Sequence, residues 1–380
     1  MKKSNQGPVV IKMIDKKLIV VKVGTSSVTH KNGKINLRFI DKLCTALTDL
    51  KNEGHDVILV TSGAVGIGKY RLNLQDKQLT ISEKQAMAAI GQGMLLHIYE
   101  KNFLEYGQIS AQLLLTREDI KIRRRFLNAR NTILELLKLG VIPIVNENDS
   151  VANDEIKFGD NDTLAALVSV LVDADTVILF TDIDGLYTGN PFVDSSARKI
   201  SVVEKITSEV EKMAGSTISK VGTGGMRTKI DAAKIATNAG IEMIIASRDD
   251  VKLLHEIVYG APLGTTFKAT HRPLHARKSW ILYGSESEGV ICVDDGAKSA
   301  LQEKGRSLLP SGIIDVRGEF DRGAIVTIAD GQGNPFAKGI SNYSSIFISR
   351  IKGMKSGVIQ EKYLDYNEEE VIHRDNLGLL

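Results

Sequence analysis

Five short, almost entirely apolar runs recur between Leu18 and about Phe267, and longer helical patterns separate them. The runs are LIVVKV from Leu18, DVILV from Asp56, VIPIV from Val141, TVILF from Thr176 and MIIA from Met243. Strands that are apolar at nearly every position are buried on both faces, which is typical of parallel sheets covered by helices. The pattern therefore predicts an α/β domain with a mostly parallel sheet.

Helix boundaries are indicated in three of the intervening segments. We expect one helix to open at Ser82, with this serine as its N-cap, and a second, from Asn128, to end before Gly140 as the C′ residue. A third should begin at Asp162, whose carboxylate suits the positive amino end of a helix. Both connecting and covering elements of an α/β domain are thus present.

The chain of 380 residues is longer than one hydrophobic core usually organises, and its character changes after Phe267. Short strands separated by Gly, Asp, Asn and Pro turns follow, with one helical stretch near Gly296 to Glu303. We predict a flexible N-terminal extension, an α/β domain, a linker, a compact mostly-β domain and a C-terminal tail, at residues 1–16, 17–267, 268–288, 289–366 and 367–380.

Charge and cysteine content argue against several classes of protein. The 49 basic and 46 acidic residues leave a formal charge of +3, so the whole chain has no large charge excess for nucleic acid or anionic membranes. Its two cysteines, Cys44 and Cys292, are far apart, which fits a reducing compartment better than a disulfide framework. Since no apolar run reaches about 18 residues, we expect no membrane span and a cytoplasmic protein.

Small or polar residues directly follow four of the apolar runs. These clusters are Gly24–Ser27, Thr61–Ala64, Asn146–Asp149 and Thr181–Asp182. The carboxyl ends of parallel strands meet at one edge of a sheet, where ligands of open α/β sheets bind. We therefore predict that the four clusters form one site.

Lys22 interrupts a strand that is otherwise apolar on both faces. Lysine is almost never fully buried without a partner, so its presence there needs an explanation. Two interpretations are open. The long side chain reaches solvent at the strand end, or its ammonium group meets phosphate oxygens beside Gly24 and Ser26.

A second unusual segment is GTGGMRTK, Gly222–Lys229, which precedes a predicted helix. Backbone N–H groups at a helix start bind anions, and glycines allow a ligand to approach the backbone closely. The segment is not the P-loop pattern GxxxxGK[ST], and it does not complete GxGxxG because Arg227 occupies the place of the last glycine. A phosphate-binding loop and an ordinary glycine-rich loop are both open.

The block NENDSVANDEIKFGDND, residues 146–162, is dense in carboxamides and carboxylates and lies between a buried strand and an apolar helix. Such clusters are common in solvated loops. Asn and Asp side chains also accept hydrogen bonds from an α-ammonium group, and amides donate to an α-carboxylate. The block is thus either a solvated loop or part of an amino-acid site.

Taken in order, six segments resemble the amino-acid kinase family. They are VVKVGTSSVT, VTSGAVGIG, RFLNARNT, PIVNENDSVANDEIKFGDND, LFTDIDGLYTGNP and GTGGMRTK. The resemblance covers about residues 17–267, and the stretch from about Gly289 to Gly353 resembles a PUA domain. It implies a three-layer αβα sandwich with a mostly parallel sheet, followed by a small, mostly-β domain.

The resemblance also implies roles for individual residues. Lys22 and Lys229 would be catalytic lysines that contact the ATP phosphates, and Asp162 would be the catalytic aspartate that holds them in place. The substrate-binding positions correspond to Ser62, Asp149 and Asn161. The ATP-binding positions correspond to Lys22, Thr181, Asp182, Thr223, Gly224, Gly225, Met226, Arg227, Thr228 and Lys229. No side chain is assigned as a metal ligand.

The activity implied by the resemblance is phosphorylation of the γ-carboxylate of L-glutamate by ATP with Mg²⁺, at the first step of proline biosynthesis. Further implications are feedback inhibition by proline, assembly as a homodimer or homotetramer, and RNA as a candidate ligand of the PUA-like domain. Two alternatives stay open. One is another member of the family, such as an aspartate or acetylglutamate kinase, and the other is an RNA-binding protein with a kinase-like scaffold.

Overall fold

The computed structural model describes residues 15–30, 32–152, 161–191, 193–215, 225–270, 281–282, 286–363, 366 and 368–380. The predicted extension, residues 1–16, lies almost wholly outside the described residues, as does much of the predicted linker, residues 268–288. Both therefore stay predictions.

The strands are numbered along the chain as β1 Leu18–Val23, β2 Asp56–Val60, β3 Ser110–Leu115, β4 Ile142–Glu147, β5 Thr176–Thr181, β6 Leu186–Tyr187, β7 Lys199–Ile200, β8 Val202–Val203, β9 Glu242–Ser247, β10 Thr265–Phe267, β11 Gly289–Val293, β12 Ile313–Arg317, β13 Ile325–Ala329, β14 Pro335–Ile340 and β15 Leu377–Leu379. The α-helices are α1 Thr25–Val28, α2 Leu37–Asn52, α3 Ala64–Arg71, α4 Ile81–Glu105, α5 Arg117–Lys121, α6 Arg123–Lys138, α7 Asn161–Val172, α8 Ser208–Gly215, α9 Met226–Asn238, α10 Leu254–Val258, α11 Asp295–Gln302, α12 Ser345–Ile351 and α13 Ser356–Lys362. Short 3₁₀ turns lie at Arg248–Leu253, Pro310–Gly312 and Arg374–Asn376.

The larger sheet has eight strands in the order β3-β4-β2-β1-β5-β9-β10-β8. In this order, all neighbouring strands from β3 across to β9 pair in parallel, whereas β10 runs antiparallel to β9. The mostly parallel sheet predicted from the apolar runs is confirmed. The chain starts at the centre and builds first to the β3 edge and then to the other, so the order reverses beside β1, where open α/β sheets bind ligands.

Alternate residues of each strand pack against opposite helical layers, as the period of two requires. In β1, Ile19, Val21 and Val23 pack in the core shared with α2, α4 and α10. Val20 lies in the core shared with α6, α7 and α9. Two helical layers therefore enclose the sheet in a three-layer αβα sandwich, and by the same alternation Lys22 lies on the α7 and α9 side.

Two of the predicted helix ends can be compared with the structure. The prediction of Ser82 as an N-cap was wrong, because Thr80 caps α4 in a capping box with Glu83. Gly140 does follow the end of α6 with a φ of +74°, which confirms its role as the C′ residue. Strand β3 was not among the predicted strands, since its side chains are mostly half-buried rather than buried at the sheet edge.

The second domain is built on a five-stranded sheet of order β12-β11-β13-β14-β15, in which only β11 and β13 pair in parallel. Helices α11, α12 and α13 accompany it, and the mostly-β prediction is confirmed. The predicted tail, residues 367–380, is corrected in one respect. Its residues Leu377–Leu379 form β15 at the edge of this sheet, because their backbone pairs with β14.

Candidate active site

One carboxylate and two ammonium groups meet on the α7 side of the sheet, near the carboxyl end of β1. Asp162 accepts a hydrogen bond from Lys22 Nζ at its Oδ1, at 2.5 Å, and from Lys229 Nζ at its Oδ2, at 3.0 Å. The side chains are buried, with exposed fractions of 8% for each lysine and 1% for the aspartate. A buried ion cluster does not by itself stabilise a fold, so this one needs a further explanation.

Three separate elements bring this ion triad together. Lys22 lies on the central strand β1, where its backbone pairs with Val60 of β2 and Leu179 of β5. Asp162 and Lys229 lie in the first turns of α7 and α9, which pack on that face. The strand alternation aims Lys22 at these helices, so the ammonium group does not reach outward past the strand end. The interpretation in which the Lys22 side chain reaches solvent at the strand end does not describe this structure.

Asn161, the neighbour of Asp162, organises a second cluster. Its amide nitrogen Nδ2 lies 2.7 Å from the backbone oxygen of Thr61, 2.6 Å from Ser62 Oγ and 3.0 Å from Asn146 Oδ1. The first turn of α7 thus holds an amide cluster through one residue and the ammonium pair through the next. Two chemically different sites share one helix start.

The turn after β2 depends on a glycine. Gly63 has a φ of +106°, a conformation that side chains with a Cβ rarely adopt, and it caps the start of α3. This turn directs Ser62 toward Asn161. Next to it, Thr61 Oγ1 lies 2.9 Å from the hydroxyl of the buried Tyr99. Burial raises the pKa of the Tyr99 phenol far above its usual range, so the phenol stays neutral.

The other predicted site residues occupy different places along the carboxyl ends of the parallel strands. Thr181 ends β5, two positions beyond the residue that pairs with Lys22, and its hydroxyl donates to Asp182 Oδ1 at 3.0 Å. Asp149 lies in the turn after β4, and its side chain is half-buried. The prediction that strand-end clusters line a common edge agrees with the parallel pairing of β1, β2, β4 and β5.

The glycine-rich segment is described only from Gly225 onward, so Thr223 and Gly224 lie outside the described residues. Gly225 is the N-cap of α9, and its carbonyl accepts a hydrogen bond from Thr228 Oγ1 at 2.8 Å. The Met226 side chain is buried in the core, whereas Arg227 is exposed and pairs with Asp231. Within this segment, the contact with the ion triad is made by Lys229.

Two buried amides of the site were not assigned from the sequence. Gln92, from the middle of α4, accepts a hydrogen bond from Asn146 Nδ2 at 2.7 Å. Gln92 stands in an ordinary helical pattern, and its only signal is a polar residue among apolar neighbours. Asn146 was included in the polar block without a role of its own.

The described part of the chain shows no grouping of three or more His, Cys, Asp or Glu side chains that could hold a metal ion. Both oxygens of Asp162 face ammonium groups, so a metal ion that bound this carboxylate would have to displace them.

Across the described helices, none combines the length and apolar character needed to cross a lipid bilayer.

Comparison with known proteins gives the same two domains. The model of the amino acid kinase family matches residues 17–247, and that of the PUA domain matches residues 289–362. The glutamate 5-kinase of Thermoanaerobacter sp. (strain X514) is 52% identical over 95% of this chain and 97% of its own length. The glutamate 5-kinase of Moorella thermoacetica is 50% identical over 95% of this chain and 96% of its own.

Among solved structures, carbamate kinase from Giardia lamblia bound to AMP-PNP superposes with a TM-score of 0.50 at 14% identity, covering 67% of this chain and 99% of that one. At this identity the likeness concerns the fold alone. The fold, the family model and the extent of identity to the curated relatives agree. The chain therefore belongs to the amino acid kinase family, in the group whose curated members are named glutamate 5-kinase.

Proposed function

We propose that this protein transfers the γ-phosphoryl group of ATP to the side-chain carboxylate of L-glutamate, giving L-glutamyl 5-phosphate at the first step of proline biosynthesis. The observation that carries the proposal is the start of α7, where Asp162 holds two buried ammonium groups and Asn161 anchors an amide cluster. Relatives that are 50–52% identical over 95% of the chain bear the name of this activity.

The chemistry requires no general base. The side chain of glutamate has a pKa of about 4.3, so at neutral pH it is already an ionised nucleophile. One of its oxygens attacks the γ-phosphorus, the bond to the β–γ bridging oxygen breaks, and that electron pair leaves with ADP. The task left to the protein is to position two anions and to support the charge that spreads over the transferred group.

Lys22 and Lys229 are the groups suited to that support. Both positively charged ammonium groups are buried, and Asp162 holds them side by side. In a site shielded from water such a charge acts strongly on developing negative charge. Asp162 fixes the two side chains before the substrates arrive, so they need little reorganisation during transfer.

ATP would bind at the carboxyl end of β5 and at the start of α9. Thr181 and Asp182 offer polar groups at the end of β5, and the segment Thr223, Gly224, Gly225, Met226, Arg227, Thr228, Lys229 leads into a helix whose first N–H groups suit phosphate. Mg²⁺ would enter with the nucleotide, held mainly by phosphate oxygens and water, because it prefers oxygen ligands and keeps several waters. It would screen the phosphate charge.

Glutamate would bind on the β2 and β4 side. Ser62 and Asn161 lie together there, and Asp149 follows β4 on the same edge. Hydroxyl, amide and carboxylate groups match the α-ammonium and α-carboxylate of an amino acid. We further propose inhibition by proline near this pocket, assembly as a homodimer or homotetramer, a cytoplasmic location, and RNA as a candidate ligand of the PUA domain.

A hydroxamate assay tests the proposal directly. The protein is incubated with ATP, Mg²⁺ and one acid at a time, and hydroxylamine traps any acyl phosphate. We expect hydroxamate from L-glutamate, none without ATP, and less when proline is added. Product from aspartate or acetylglutamate but not from glutamate would contradict the substrate assignment, and RNA binding without any kinase activity would contradict the enzyme itself.

A further inference from the structure

Three side-chain amides form a row that leads from helix α4 to the proposed glutamate site. Asn146 Nδ2 donates to Gln92 Oε1 at 2.7 Å, and Asn161 Nδ2 donates to Asn146 Oδ1 at 3.0 Å. Gln92 and Asn146 are both buried. Because an unpaired buried polar group costs free energy, each amide of the row constrains the orientation of the next.

Two backbone groups determine which way the row points. The N–H of Glu147 can only donate, and it lies 2.9 Å from Asn146 Oδ1, so that atom is the amide oxygen. The carbonyl of Thr61 can only accept, and it lies 2.7 Å from Asn161 Nδ2. The NH₂ group of Asn146 must therefore face Gln92, whose side-chain oxygen is the acceptor that this position requires.

The orientation of the row decides what Asn161 offers to a ligand. Its nitrogen is committed to Thr61, Ser62 and Asn146, so its oxygen Oδ1 points away from them. No donor to this oxygen is found among the described residues, and the side chain is half-buried beside Ser62. An oxygen that can only accept suits an α-ammonium group, which can only donate, and disfavours a carboxylate.

A glycine explains how Gln92 comes to lie at the end of the row. A Cβ atom on Gly91 would lie 1.8 Å from the carbonyl oxygen of Ala64, so only glycine allows α4 to approach the start of α3 this closely. Ala64 follows the Ser62 turn directly. The close approach of the two helices therefore places the residue after Gly91 against β4.

From this geometry we infer that Gln92 is a positioning residue for selection of the substrate's α-ammonium group. It acts through Asn146 on the carbonyl oxygen of Asn161 and does not itself touch the substrate. The inference rests on the proposed phosphorylation of glutamate and deepens it, because it assigns the recognition of an amino acid, as opposed to a simple dicarboxylate, to a side chain in α4.

The test compares glutamate with glutarate, which has the same carbon chain and both carboxylates but lacks the ammonium group. Gln92→Met has a similar shape but no acceptor oxygen, so Asn146 and, through it, Asn161 lose their fixed orientation. We expect the KM for glutamate to rise about tenfold, because the hydrogen bond from the α-ammonium group to Asn161 Oδ1 is lost. The kcat, the KM for ATP and the Ki of glutarate should stay within about twofold. Gln92→Glu, which keeps an acceptor oxygen, should recover most of the affinity for glutamate.

Asn102→Leu serves as the matched control. Asn102 also lies in α4, but its amide bonds to Ile98 of the same helix, so this variant should leave all four parameters unchanged. Equal weakening of glutamate and glutarate by Gln92→Met, or no change in either, would overturn the positioning role. Wild-type protein that makes no glutamyl hydroxamate would instead overturn the proposed function, which separates the two failures.

Discussion

The two ends of the central sheet both hold buried polar side chains, but these groups differ in their charge. At the carboxyl end, two lysines share the single carboxylate of Asp162. At the amino end, His55 Nδ1 accepts the backbone N–H of Lys17, its Nε2 lies 3.1 Å from the hydroxyl of Tyr259, and that hydroxyl donates to Glu53. The amino end pairs each of these donors with an acceptor, whereas the ion triad at the carboxyl end brings two buried ammonium groups to one carboxylate.

This difference distinguishes a structural cluster from the proposed catalytic one. A balanced hydrogen-bond network satisfies its own members and stabilises the chain that forms it. Buried ammonium groups are costly to desolvate, so a pair of them at the carboxyl ends of parallel strands suits an anionic ligand. ATP phosphates and a substrate carboxylate are such anions. Four experiments with substituted proteins test how far the distinction holds.

The largest effect is expected at the ammonium pair. Lys22→Ala or Lys229→Ala should lower kcat by about a hundredfold to a thousandfold, because a group that supports transition-state charge commonly contributes about 3–4 kcal/mol. Steady-state rates in the hydroxamate assay measure this. Lys16→Ala is the control, since Lys16 is exposed and pairs with Asp56 at the amino end of the sheet. A near-normal kcat in both site variants would remove the catalytic assignment.

Loss of the shared carboxylate should affect stability as well as activity. Asp162→Ala removes the carboxylate that two buried ammonium groups share, so we expect the free energy of unfolding to fall by about 3 kcal/mol. Urea denaturation measures it, and kcat should fall in parallel. Asp175→Asn is the comparison at the amino end, where Asp175 accepts the backbone N–H of Leu18 and asparagine keeps an acceptor oxygen. Equal stability losses in the two variants would contradict the distinction between the ends.

A smaller and more selective effect is expected in the amide cluster. Ser62→Ala should raise the KM for glutamate about tenfold and leave the KM for ATP unchanged, since a hydrogen bond to a charged ligand contributes about 1.5–3 kcal/mol. Asn161→Ala should act in the same direction. Initial rates with each substrate varied in turn decide the matter. A change confined to ATP would place these residues in the wrong half of the site.

The smallest effect is a pH dependence at the amino end. Burial lowers the pKa of His55, with a further contribution from the charge of Lys17, although Glu53 opposes both. The folded state therefore favours the neutral ring, and its contribution to stability is complete above the unfolded pKa of about 6.5. As the pH falls below this value the unfolded chain takes up the proton first, so the free energy of unfolding should decrease.

Denaturation midpoints at about pH 7.5 and about pH 5.5 measure this decrease, to which His55→Asn should be less sensitive because it keeps an acceptor without a titrating ring. The kcat measured without added proline should not follow the pH dependence of stability, because His55 lies at the opposite end of the sheet from the ion triad. A wild-type stability that is constant over this range, or that rises on acidification, would contradict the neutral ring.

Much of the first domain could be predicted from local sequence. The apolar runs at β1, β2, β4, β5 and β9 identified buried parallel strands because burial on both faces demands apolar side chains at every position. Strand β3 was missed because it lies at the sheet edge, where half-buried positions admit polar residues. The N-cap of α4 was misplaced by two residues because both Thr80 and Ser82 can cap, and the capping box with Glu83 chooses between them.

The site divides in a similar way. Lys22 could be selected from the sequence because an ammonium group in a buried strand is costly, and Asp162 and Lys229 could be selected through the family resemblance. Gln92 could not be selected, since nothing in the helical pattern around it shows that its side chain faces β4. Its contact with Asn146 spans 54 residues and depends on how closely α4 packs on α3.

The sequence by itself therefore determined the class of fold and the chemical character of the site, because hydrophobic periodicity and buried charge are local properties that residue types express directly. Only the tertiary structure decided which of these groups meet. Lys22 and Asp162 are 140 residues apart and become neighbours through the strand order around β1 and the rotation of α7 on the sheet. Such contacts depend on the packing of whole elements, which no local pattern encodes.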